Sequence, residues 1–134
     1  MAIAGVLGLE PGHPLVRLKR VRTINGEPIG LHDAHLSLPG GARIERDELE
    51  RQGSLYQLLK DKFAITPAEA VENLTVALAD EEDAELLNVA VGAPILICER
   101  VTLSDRREPI EYCLMKYVQS YRYSTRISKH AIAT

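Results

Sequence analysis

Val16-Arg17-Leu18-Lys19-Arg20-Val21-Arg22-Thr23-Ile24-Asn25-Gly26-Glu27-Pro28-Ile29, VRLKRVRTINGEPI, reads as a strand, a tight turn and the start of a second strand. Asn25-Gly26 between two alternating segments is a strong hairpin signal, because both residues tolerate positive φ. Alternation along an extended chain puts Val16, Leu18, Arg20 and Arg22 on one face, and Arg17, Lys19 and Val21 on the other. Two guanidinium groups about 6 to 7 Å apart on one face repel each other unless an anion lies between them. The competing reading is a solvated strand whose cations guard an exposed edge. The turn also sets what faces the arginines. A two-residue loop would pair Arg20 with Leu31 and bring Asp33 to their face; a three-residue loop with a bulge would pair Arg20 with Gly30 and bring His32 there.

Outward from the hairpin, strands are expected near 14–24 and 27–36. Ser37-Leu38-Pro39-Gly40-Gly41 breaks the pattern and leads into a short charged helix within 44–52. Ser54 is a good N-cap for a helix over 54–63, in which Leu55, Leu58, Leu59 and Phe63 form one apolar stripe. Pro67 closes that unit, and Ala70, Glu72, Leu74, Val76 and Leu78 form an alternating series. The next helix begins at Asp80, its first turn crowded with Glu81, Glu82 and Asp83 where the dipole favours acids; Ala84 and Leu87 pack inward and Gly92 ends the connection. Long, largely buried strands follow at 95–104 and 109–118, and a last strand at 123–132. The pattern predicts an α+β chain with a mainly antiparallel sheet and few helices.

With 134 residues and 46% hydrophobic content, the chain fits one domain, 1–134, with a real core. A net charge of -3 argues against a nucleic-acid-binding surface. The longest apolar runs fall far short of the roughly 20 residues that cross a bilayer, and the N-terminus lacks a charged n-region, so a cytoplasmic protein without membrane contact is expected. Cys98 and Cys113 lack CxxC spacing and read as buried free thiols; His13, His32, His35 and His130 are scattered, so neither a metal nor a cofactor is expected. No Ser-His-Asp set, phosphate-cradling Gly-rich loop or paired acid and base emerges from the spacings.

Two further positions can carry chemistry. The Ser54 helix start offers unpaired N–H groups and a dipole to an anion, or is simply a cap. Glu111 shares a strand face with Cys113, Met115 and Tyr117, so a carboxylate faces an apolar layer and needs a partner, either a structural arginine such as Arg100 or a ligand group.

Taken together and in this order, these pieces resemble the UTRA domain, the effector-binding module of GntR-type transcription regulators of the HutC subfamily. Leu15–Ile29 resembles the family's basic strand and G-x-P turn, and Gly53-Ser54-Leu55-Tyr56 with Leu59 its SLY helix start. Ala84, Leu87, Gly92, Pro94, Leu96 and Arg100 resemble its central stretch, and Pro109-Ile110-Glu111-Tyr112 and Arg122-Tyr123 its closing signatures. The resemblance implies a chorismate-lyase-like fold: a six-stranded antiparallel sheet flanked by helices, dimeric, non-catalytic, holding a small anionic effector. It assigns the cleft to Arg20, Arg22, Ser54, Tyr56, Glu111 and Tyr117, with the arginines and the helix start converging on one anion. Many relatives carry a glutamate where this chain has His32, which places His32 in the cleft and implies a polar effector end unlike an amino sugar's. Such regulators set a winged-helix domain before this module, whereas here the module starts almost at Met1, as in a truncated or stand-alone form. The competing class is a small lyase on the same fold; release of 4-hydroxybenzoate from chorismate would identify it.

Overall fold

The computed structural model describes residues 3–9, 14–39 and 42–127. Strands β1 (Val16–Ile24) and β2 (Glu27–Leu36) are joined by Asn25 and Gly26, whose φ values of 51° and 80° are the left-handed pair that a two-residue hairpin turn requires. Ile24 pairs with Glu27 and Thr23 with Pro28, and then the ladder slips by one residue, so that Arg22 pairs with Gly30 and Arg20 with His32. Ile29 is the extra residue of a β-bulge beside Pro28, which has no N–H to give to the ladder. Neither expected register holds: the loop is the shorter one, and the bulge brings His32, not Asp33, to the arginine face.

The remaining elements are helix α1 (Ile3–Val6), helices α2 (Arg46–Gln52) and α3 (Leu55–Phe63), strand β3 (Pro67–Leu78), helix α4 (Glu81–Leu87), and strands β4 (Pro94–Ser104) and β5 (Pro109–Tyr117). They build one antiparallel sheet in the order β1-β2-β5-β4-β3. Pro67 opens β3 rather than closing the preceding unit. Asp80 caps α4 by accepting from the Asp83 amide at 2.8 Å, and the helix stops at Asn88, where φ is 54°, short of Gly92. No helix among the described residues is long and apolar enough to cross a membrane.

Among the described residues the sheet has five strands, where six were expected. Residues 121–127 form no ladder, and the rest of the expected 123–132 strand lies outside the described residues. Side chains hold this segment instead: the Tyr121 ring stacks on Tyr117 with centroids 3.9 Å apart, and the Tyr123 hydroxyl donates to Glu72 at 2.8 Å.

Each face is covered over part of its length. On the face of Val16 and Leu18, α3 buries Leu55, Leu58 and Leu59 against Leu36, Leu38, Ile44 and Ile110. On the opposite face, α4 buries Ala84 and Leu87 against Leu31, Ile95 and Val118. Beyond α3, the first face carries a third buried cluster, Ala34, Cys98, Cys113, Met115 and Tyr117, and the polar side chains set among these residues form the site described next. The edge strand β3 leaves Val71, Leu74, Val76 and Leu78 exposed.

Candidate functional site

The four cations of β1 have different fates. On the α4 face, Arg17 donates to Asp33 at 2.8 and 2.6 Å, and Lys19 pairs with Glu82. On the other face, no carboxylate among the described residues comes within ion-pair distance of Arg20 or Arg22. Arg20 is half-buried and its Nε is shut off from solvent without a hydrogen-bond partner among the described residues. Burial, and then the neighbouring Arg22, push its pKa below the ordinary arginine value. A groove of about 560 Å³ runs beside these residues, lined by Arg20, Arg22, Ile44, Arg46, Leu49 and Gly53 among others.

His32 lies next to Arg20 across the ladder, and its Nε2 is 2.9 Å from the Tyr117 hydroxyl. Burial, followed by the charges of Arg22, Arg20 and Arg100, lowers its pKa from 6.5 to about 4. The ring is therefore neutral at physiological pH. An unfolded histidine takes up its proton as pH falls through 6.5, but the folded one does not, so this group withdraws stability between pH 6.5 and about 4. Ring-nitrogen NMR should find His32 unprotonated at pH 5.5; a midpoint near 6.5 would contradict the packing described.

Tyr117 is fixed by three neighbours. Its ring meets His32 edge-on, with centroids 5.6 Å apart, stacks on Tyr121, and passes over Gly30. A Cβ on Gly30 would sit 2.7 Å from Tyr117 Cδ1. Gly30→Ala should therefore displace the ring, lengthen the link to His32 and cost about 1–3 kcal/mol in stability, as overpacking does, measurable by urea unfolding.

Farther along the same face, Glu111 is 1% exposed and its Oε1 accepts from the Tyr56 hydroxyl at 2.8 Å and from Thr102 Oγ1 at 3.2 Å. Arg100 Nη2 lies 3.6 Å from that oxygen, and Arg100 Nη1 lies 3.8 Å from Glu72. The carboxylate thus has its partner inside the protein, the arginine named from the sequence together with two hydroxyls. Burial, with Glu111 adding to it, raises Tyr56 to about 12, so the phenol remains a donor. Burial likewise raises Cys98 to about 11 and Cys113 to about 12; both are free, buried thiols.

The sequence-derived residues therefore fall into two groups on one face, Arg20, Arg22, His32 and Tyr117 in one and Tyr56 and Glu111 in the other. Ser54 stands apart: its Oγ caps α3 by accepting from the Gln57 amide at 3.3 Å, and the arginine groove reaches its neighbour Gly53. Thr102 and Glu72 were not foreseen. Strand alternation over Cys98, Arg100 and Thr102 was the available signal, a polar pair on the inward side of an otherwise apolar strand.

Residues 1–122 match the profile of the UTRA domain. The chain belongs to the UTRA family. It is 29% identical over 109 residues to the HTH-type transcriptional repressor PhnF of Mycolicibacterium smegmatis, covering 81% of this chain and 44% of that protein. To the HTH-type transcriptional repressor NagR of Bacillus subtilis it is 28% identical over 117 residues, 86% of this chain and 46% of the relative. This UTRA domain thus spans about half the length of the curated relatives it matches. Among solved structures, the ligand-binding domain of a Bordetella bronchiseptica protein assigned to the GntR family superposes with a TM-score of 0.81 at 27% identity, covering 92% of this chain and 80% of that one. The UTRA domain is an effector-binding domain of GntR-family transcription regulators, and PhnF and NagR are both named transcriptional repressors, a regulatory role.

Proposed function

We propose that this UTRA domain, residues 1–134, senses a small metabolite bearing a phosphate or carboxylate, as the effector-binding and dimerising unit of a HutC-type regulator. The carrying observation is the contrast on β1: Arg17 and Lys19 have carboxylate partners, whereas Arg20 and Arg22, on the opposite face, have none among the described residues. Two adjacent guanidinium groups held without counter-charge repel each other, and an anion relieves that repulsion with charge-assisted hydrogen bonds. In this reading His32 and Tyr117 form a neutral hydrogen-bonding pair at the polar end of the effector. Tyr56 and Glu111 shape the far wall, and the Ser54 turn borders the groove. The HutC placement is supported by the short motifs of the sequence.

A thermal-shift screen with inorganic phosphate, phosphosugars and carboxylates tests the reading, since a ligand that binds only the folded state raises its stability with concentration. No response to any anion would sink it. The homodimer is supported by the exposed Val71, Leu74, Val76 and Leu78 of β3, an apolar edge that a second copy would cover. Only monomer in sedimentation at micromolar concentration would count against that. Contact with DNA belongs, in this reading, to an HTH domain like those that name the relatives.

A further inference from the structure

Arg100, on the same sheet face as Arg20, is a poorly satisfied cation. Its two carboxylate contacts, at 3.6 and 3.8 Å, are longer than hydrogen bonds, and its Nε is buried without a partner among the described residues. Glu111 and Glu72 each have a better donor. Tyr56 serves Glu111 at 2.8 Å, and Tyr123 serves Glu72 at 2.8 Å. Between Arg100 and β1 the floor is made of short side chains, since Arg100 pairs with Cys113, Cys113 with Ala34, and Ala34 with Leu18. That row ends at Leu18, two residues before Arg20 on the same face of β1, and His32, paired with Arg20, feels the charges of both Arg20 and Arg100.

We propose that Arg100 is an effector-contacting residue whose guanidinium exchanges Glu72 for the anionic group held by Arg20, so that the group is gripped from two strands, β1 and β4, on one face of the sheet. A tetrahedral oxyanion such as a phosphate monoester suits this, because its oxygens diverge toward donors on opposite sides. Glu72 is then left to Tyr123. The inference rests on the effector reading above, and adds to it a third cation and the residue that competes for it.

The test uses the 134-residue chain with labelled arginine side chains, titrated with inorganic phosphate. The Nε–H resonance of Arg100 should move with the same midpoint as that of Arg20. Arg100→Gln should weaken phosphate about tenfold or more, the loss of a charge-assisted hydrogen bond. Glu72→Gln, which removes the competing carboxylate, should tighten it about threefold. In the Arg100→Gln background that gain should vanish. An Arg100 resonance that stays still, with phosphate affinity unchanged in Arg100→Gln but lost in Arg20→Ala, overturns the role of Arg100 and leaves the effector reading standing. No response at either arginine overturns both. Should Arg100→Gln fail to fold, the wild-type titration decides alone.

Discussion

Arg20→Ala and Arg22→Ala should each weaken phosphate or effector binding by about 10- to 150-fold, the loss of one charge-assisted hydrogen bond of about 1.5–3 kcal/mol. Their melting temperatures should change little. The asymmetry follows from their surroundings. Arg22 is exposed, and neither side chain is tied to a carboxylate among the described residues, so folding does not depend on their charges. Removing one of two mutually repelling cations even relieves strain in the empty state. Arg17→Ala is the matched control: it breaks the pair with Asp33 on the α4 face and should leave anion affinity nearly untouched. If the β1 arginines only solvate an edge, all three variants will bind alike, and isothermal titration separates the two cases.

Glu111→Ala should have the opposite profile, a loss of about 3–5 kcal/mol in unfolding free energy, the range found when one partner of a buried charged network is deleted. It strips the Tyr56 hydroxyl and Thr102 of their shared acceptor and leaves Arg100 facing only Glu72. Glu111→Gln keeps the shape and an acceptor oxygen while removing the charge, and should cost clearly less. Denaturant unfolding of both variants is the measurement. A loss below about 1 kcal/mol for the alanine variant would mean that water readily replaces the carboxylate.

Much of this was legible in the chain because it depended on local rules. Asn25-Gly26 dictates a hairpin by its φ values, Ser54 caps α3 through its own hydroxyl, and alternation alone puts Glu111 on the inward face with Cys113 and Met115. The groove face of β1 follows from the same alternation. What escaped depends on contacts between distant segments. The bulge at Ile29 is invisible in a run, Pro28-Ile29-Gly30-Leu31, that has no clear alternation of its own. The segment after β5 has strand-like composition, but two tyrosines anchor it by ring stacking and a phenol hydrogen bond, so local propensity loses to side-chain contacts. Thr102 and Glu72 matter only because Glu111 and Arg100 meet them across neighbouring strands.

The one-residue slip at Ile29 gives chain length an electrostatic meaning. Hairpin tips are ordinarily where insertions and deletions are best tolerated. Here the count of residues between Arg22 and His32 decides the sign of what lies under the arginines: a neutral imidazole as the chain stands, or the Asp33 carboxylate if β2 moved one step. In the second arrangement the carboxylate would neutralise the arginines from within, and Arg17 on the far side would lose its counter-ion at the same stroke. A lineage that shortened or lengthened this tip by one residue would thus change which molecules the domain answers to without altering any residue that touches them.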